Sequence, residues 1–275
     1  MIRIKTLVVV LLVVCIAACG GEKVVAVSPA TRGGDGQPVQ ATAPAESNDR
    51  TASMDGGHAG QTESITIPRE YVLGRSTVVL EGESWRELLD KLPVSQREML
   101  QDRNAAYFGS LEFSDAEEWK TMARQGFPLP EDWIDASTMS SDELKRMAER
   151  GSTKARMLYA DRMIDEAIGH LPVRQRDPGA YDHGPGGAAA IQAYIEVGRL
   201  VDSTSSPFAS YVGGRLRYSL DVPASREAIA GAMFAASQRG DARAAAMLER
   251  FVADNPGMDV GSIVAAYQAL KAKGD

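Results

Sequence analysis

The chain has 275 residues, 44% of them apolar, 24% charged and only 6% aromatic, and its 30 Lys+Arg stand against 37 Asp+Glu for a net charge of −7. With no run of Lys and Arg to meet a phosphate backbone, this composition excludes nucleic acid as a partner. Both cysteines, Cys15 and Cys19, lie near the start of the chain, which excludes an internal disulfide framework, a Cys-ligated metal and a cysteine nucleophile in everything that follows.

Residues 1–19 carry Arg3 and Lys5, then an apolar run from Leu7 to Ala18, then Cys19-Gly20. Crossing a hydrocarbon layer of about 30 Å takes roughly 20 helical residues, so a run this short is the core of a signal peptide rather than a permanent span. The tetrapeptide Ile16-Ala17-Ala18-Cys19 resembles the lipobox of bacterial lipoproteins: an aliphatic residue, two small residues and a cysteine, in register with the charged start and the apolar core. The resemblance implies removal of residues 1–18, a diacylglycerol on the Cys19 sulfur and an acyl chain on its new amino group. No other cofactor and no metal is expected. Cys15 falls in the discarded core and serves there as a small apolar residue. Several acyl chains exceed the single chain that binds a membrane only marginally. In Gram-negative lipoproteins an Asp directly after the cysteine favours the inner membrane; Gly20-Gly21 therefore implies an outer-membrane anchor with the body facing the periplasm, given a Gram-negative source. Loss of Arg3 and Lys5 leaves 28 bases against 37 acids, or −9, so the lipid and not the protein surface is expected to hold the membrane.

From Gly20 to about Ile65 the chain is Gly, Ala, Pro, Ser, Thr and Gln with scattered charge, and no apolar period runs through it. Such a segment cannot bury enough surface to offset its chain entropy, and residues 19–65 are read as a lipidated N-terminus and disordered tether, about 35–40 Å in typical span. Residues 66–82 include Tyr71-Val72-Leu73 and Thr77-Val78-Val79-Leu80, a β-branched composition that predicts an extended or β segment.

Over 83–275 the pattern turns helical. Four Ser-x-x-Glu capping boxes follow one another, at Ser84, Ser95, Ser114 and Ser140, and the apolar spacing behind them is near 3.6. Trp85, Leu88, Leu89 and Leu92 form one face, Met157, Ala160, Ile164 and Ala167 another, Ile191, Tyr194 and Ile195 a third, and Phe208, Tyr211, Val212 and Leu216 a fourth. Trp85, Trp119 and Trp133 are read as core anchors. The fold class is all-α.

One helix break recurs with its flanks. Ala148-Glu149-Arg150-Gly151-Ser152-Thr153-Lys154-Ala155 and Ser237-Gln238-Arg239-Gly240-Asp241-Ala242-Arg243-Ala244 share a small residue three before the glycine, Arg just before it, a base three after and Ala four after; Ala123-Arg124-Gln125-Gly126 gives a shorter match. Glycine supplies the left-handed stop and the alanines let two helix axes approach. The pattern resembles the Sel1-like subclass of tetratricopeptide repeats, which implies a stack of helical hairpins that holds another protein. The copies stand 89 residues apart rather than in tandem, so a generic α-bundle remains the alternative architecture.

The histidines are His58, His170 and His183, and no His-Glu-x-x-His, Gly-x-Ser-x-Gly, Walker or Gly-x-Gly-x-x-Gly pattern occurs. The segment from Arg174 to Gly187 reads as the longest non-helical stretch in the body, and it gathers Asp177, Tyr181, Asp182 and His183 with two arginines. These four residues are the candidate site. The leading expectation is a membrane-anchored lipoprotein whose body binds a protein partner, without catalysis. An immunity-type lipoprotein that neutralises a toxin is one alternative. A cell-wall or glycan enzyme is the other, and it requires Asp177 and Asp182 to converge on a cleft.

Overall fold

The computed structural model describes residues 84–221 and 225–271. Cys19 with its lipobox, the tether and the extended or β segment over 66–82 lie outside the described residues. Among the described residues every regular element is a helix, as the apolar periods predict.

Local chemistry sets most helix starts. Helix α1 (Trp85–Lys91) begins where Ser84 Oγ accepts the Glu87 backbone N–H, and α5 (Ser141–Glu149) where Ser140 and Glu143 each accept the other's backbone N–H. The other two expected boxes shift. Helix α2 (Val94–Ala106) starts after Pro93, which has no side-chain cap bond and leaves Ser95 inside the first turn; the proline ring already fixes the φ that a helix start needs. Helix α3 (Ala116–Arg124) is capped by Asp115, whose carboxylate accepts the Glu118 N–H at 2.8 Å, while Glu118 bonds Ser114 in return. The box is displaced by one residue because a carboxylate outcompetes a hydroxyl for the free N–H groups.

Helix α4 (Pro130–Thr138) and the long α6 (Thr153–Gly169) lead into two short helices, α7 (Leu171–Arg176) and α8 (Pro178–Asp182). Then follow α9 (Pro185–Ser203), α10 (Phe208–Leu220), α11 (Arg226–Gln238), α12 (Ala244–Asp254) and α13 (Val260–Gln268). Helix α6 packs on α5, α9 and α10; α10 packs on α9 and α11; α11 packs on α12 and α13. The rings of Tyr107, Phe127, Trp133, Phe208 and Tyr211 interlock with centroids 4.8–6.3 Å apart, within the range in which tilted aromatic pairs attract. Trp85, Trp119 and Trp133 are all buried. Close approach of α10, α11 and α13 depends on glycine: a Cβ on Gly214 would stand 2.3 Å from Ala232 Cβ, and one on Gly231 would stand 2.7 Å from Ala266 Cβ.

The recurrent break has one geometry at all three places. Gly126, Gly151 and Gly240 adopt φ of +76°, +97° and +96°. In each, the glycine N–H donates to the carbonyl three residues back and the next N–H to the carbonyl five before it, as in Gly151 to Ala148, Ser152 to Met147, Gly240 to Ser237 and Asp241 to Ala236. This is the Schellman closure. The base three residues past the glycine reaches back to an earlier segment: Lys154 Nζ meets Asp132 at 2.6 Å, and Arg243 meets Glu118 at 3.4 Å and donates to the Ser110 carbonyl at 3.1 Å. Ala155 and Ala244 are fully buried.

The expected face of α9 is inverted. Ile191, Tyr194 and Ile195 are 61%, 43% and 43% exposed, whereas Ala189, Ala193, Val197 and Leu200 are buried. The inner face carries alanines in its first half and Val197 and Leu200 in its second, which leaves the larger side chains at 191, 194 and 195 outside.

Candidate functional site

The segment from Arg174 to Gly187 is not a loop. Pro172, Pro178 and Pro185 stand in the first turns of α7, α8 and α9, positions where the missing N–H has no intrahelical partner to lose and the fixed φ suits the helix. Prolines and glycines that look like breakers in sequence therefore start three helices in succession. Gly184 and Gly187 fold α8 back onto the start of α9, for a Cβ on either would stand 2.5 Å from the Ala180 or the Asp182 carbonyl oxygen.

The four candidate residues separate. Asp177 caps α8, its carboxylate accepting the Ala180 N–H at 3.0 Å. His183 is exposed at the other end of α8. Tyr181 is 4% exposed, with the Arg174 guanidinium 5.4 Å above its ring and no hydrogen-bond partner for its hydroxyl. Burial pushes that hydroxyl's pKa up, against the pull of Arg174 and with a further rise from Asp182. Only Tyr181 and the exposed Asp182 reach a common cleft, of about 610 Å³, lined also by Arg174, Ile191, Tyr194 and Asp221. Asp177 and Asp182 sit at opposite ends of α8 and do not converge. In the same cleft the Tyr194 hydroxyl donates to Asp221 Oδ1, and burial together with that carboxylate raises its pKa. Arg174 Nη1 donates to the Leu220 carbonyl at 2.7 Å.

A second constellation lies where α2, α6 and α10 meet, and it escaped the sequence. Tyr107 donates its hydroxyl to Asp161 Oδ1 at 2.6 Å. Arg215 donates Nη1 to Asp161 and Nη2 to Asp165. Arg103 Nη1 pairs with Asp161 Oδ2 at 3.1 Å and with Asp165 Oδ2 at 2.5 Å. Two guanidiniums thus face two carboxylates, and Arg215, Asp161 and Tyr107 are buried. Burial alone would lower the Arg215 pKa, but Tyr107, Asp161 and Asp165 outweigh it and keep the guanidinium charged. Burial and the Asp161 charge raise the Tyr107 hydroxyl's pKa well above its ordinary value. Two guanidiniums set against two carboxylates tie the three helices together. One signal was available in sequence: Asp161 interrupts the apolar face of α6 between Leu158 and Ile164.

Glu131, in the first turn of α4, is 1% exposed, and neither of its carboxylate oxygens has a hydrogen-bond partner. Burial pushes its pKa up to about 7. Its neighbour Asp132 is paired with Lys154 and accepts the Leu129 N–H at 2.7 Å. Among the described residues no group of three or more His, Cys, Asp or Glu is arranged to hold a metal ion, and no helix is long and apolar enough to cross a membrane. Comparison of the chain with protein-family models, with curated proteins and with solved structures gives no match.

Proposed function

We propose that this chain is an acylated lipoprotein, held at the outer membrane of a Gram-negative cell through lipid on Cys19, whose helical body is a protein-binding module of hairpins akin to Sel1-like repeats. The observation that carries the binding role is the outward apolar stripe of Ile191, Tyr194 and Ile195 beside a cleft. Isolated exposed apolar residues are ordinary, but three on one helix face next to a concavity have the composition of a docking surface. The repeat reading draws support from the common Schellman closure at Gly126, Gly151 and Gly240 and from the basic side chains that reach back from Lys154 and Arg243. The glycan-enzyme alternative gains nothing from α8, where Asp177 is engaged as a cap.

Two measurements test the proposal. A Cys19→Ala variant should lose its acyl chains by mass spectrometry and leave the membrane fraction; retention there would overturn the anchor. A photoreactive amino acid at Ile195, in living cells, should give a discrete crosslinked species that an equivalent substitution at exposed Asp254 on α12 does not give. Identical patterns from both sites would remove the binding role from α9.

A further inference from the structure

The open face of α9 places Ile191, Tyr194 and Ile195 three and four residues apart, so they form one stripe along the helix. Beside it the cleft has Gly187, Ala190, Ile191 and Leu220 as apolar wall, with Asp182 from α8 and Asp221 after α10 at its polar edges. The polar groups differ in what they have left to offer. Arg174 is turned inward, over the Tyr181 ring and onto the Leu220 carbonyl. Asp221 holds the Tyr194 hydroxyl on one oxygen, and Arg217 stands 4.0 Å from the other. Asp182 is exposed and no hydrogen bond or ion pair reaches its carboxylate among the described residues. The buried Tyr181 hydroxyl in the cleft wall is likewise unpaired. The Tyr181 hydroxyl is shut away from solvent, so the open polar capacity is the Asp182 carboxylate, which calls for a positively charged hydrogen-bond donor next to apolar surface. Without residues 1–18 the chain carries −9, a long-range field that disfavours a second copy and favours the approach of a basic partner.

We infer that the cleft docks a partner-protein segment carrying Lys or Arg beside an aliphatic side chain. The cation meets Asp182, and the aliphatic group lies on Ile191 and the Tyr194 ring. This rests on the binding-module reading above and supplies the chemistry of the partner.

The test uses the full acylated chain in detergent micelles and three fluorescein-labelled peptides with the same leucine spacing, carrying Lys, Ser or Glu beside the leucines. Fluorescence anisotropy should show the Lys peptide binding about tenfold tighter than the Glu peptide, with the Ser peptide between them. Asp182→Asn should weaken the Lys peptide by roughly three- to tenfold and erase most of the preference, and Ile191→Ser should weaken all three peptides. Asp254→Asn, which removes an exposed carboxylate on α12, should change nothing. Asp182 and Ile191 are exposed, so circular dichroism and melting should match the parent in both variants. Equal binding of the Lys and Glu peptides, or a preference that Asp254→Asn abolishes as well as Asp182→Asn, overturns the inference. So does a dimer in sedimentation that Ile191→Ser abolishes, because a second copy then covers the face. Retention of Cys19→Ala in the membrane would sink the anchor reading and leave these titrations unaffected.

Discussion

The junction of α2, α6 and α10 and the edge made by α7, α8 and the first half of α9 treat polar groups in opposite ways. At the junction Arg103, Asp161, Asp165, Arg215 and Tyr107 pair with one another, with Asp161, Arg215 and Tyr107 buried and Arg103 and Asp165 at the margin. At the edge a buried hydroxyl and an exposed carboxylate stay unpaired and apolar side chains face outward. Charge that is matched inside holds helices together; charge and apolar surface left unmatched outside are free for a partner. If that division is right, substitutions at the junction cost stability and those at the edge do not.

The largest effect is expected at Arg215. Arg215→Ala leaves Asp161 buried with less compensation and should cost about 3–5 kcal/mol, read as a fall in the urea midpoint. Adding Asp161→Asn should return part of it. A cost below about 1 kcal/mol would mean that the junction is no more sealed than the edge.

Next comes Glu131, a buried carboxyl whose oxygens have no hydrogen-bond partner. Its pKa is raised to about 7 by burial, from an ordinary 4.5, so the folded chain binds this proton more tightly than the unfolded chain does. Its contribution to stability is complete below about pH 4.5, declines as pH rises, and is lost above about pH 7, a change of about 3 kcal/mol. Glu131→Gln cannot ionise. The variant should match the parent near pH 4 and exceed it by up to about 3 kcal/mol at pH 8, by urea unfolding across that range. A constant difference between the two proteins would show that Glu131 is hydrated.

What the sequence conveyed about these two regions follows from how far each interaction reaches. The cap at Ser140 and the stops at Gly151 and Gly240 involve residues within one turn of each other, so a short motif is enough to read them. The junction joins Tyr107 to Asp161 across 54 residues and Arg215 to Tyr107 across 108, and no local pattern couples such positions. The edge misled in two ways. The stretch 174–187 reads as non-helical, although proline in a first turn initiates a helix. On α9, the large apolar residues at 191, 194 and 195 mark the wrong face, because Ala189, Ala193, Val197 and Leu200 line the inner one. Of the four candidates Asp177, Tyr181, Asp182 and His183, only Tyr181 and Asp182 line the cleft, and Arg174, Tyr194 and Asp221 join them from elsewhere in the chain.

The stops offer a smaller and cleaner contrast. An added Cβ meets nothing within 4 Å at Gly151, so Gly151→Ala is penalised by its φ of +97° alone and should lose about 1–2 kcal/mol by thermal unfolding. Gly198 in the middle of α9 also has open space but an ordinary helical backbone. Gly198→Ala should gain about 0.5–1 kcal/mol. If both substitutions lost stability equally, the left-handed stop would not be what holds the hairpin.

The smallest effect separates the two acids of α8. Asp177 supplies the only side-chain cap of a five-residue helix, accepting the Ala180 N–H, and a helix that short has little else to hold its first turn. Asp177→Ala should speed hydrogen exchange of the α8 amides by about fivefold, the equivalent of about 1 kcal/mol, with the global melting temperature nearly unchanged. Asp182→Asn should leave exchange unaltered, because its carboxylate takes part in no bond that closes the helix. A pair of catalytic acids would behave alike under substitution, each sparing the fold and abolishing turnover. A cap and a free docking carboxylate behave differently from each other, one moving exchange and the other only binding. Equal exchange effects at the two positions would return Asp177 to the cleft and make the edge a shared acidic site instead of a single exposed charge beside an apolar stripe.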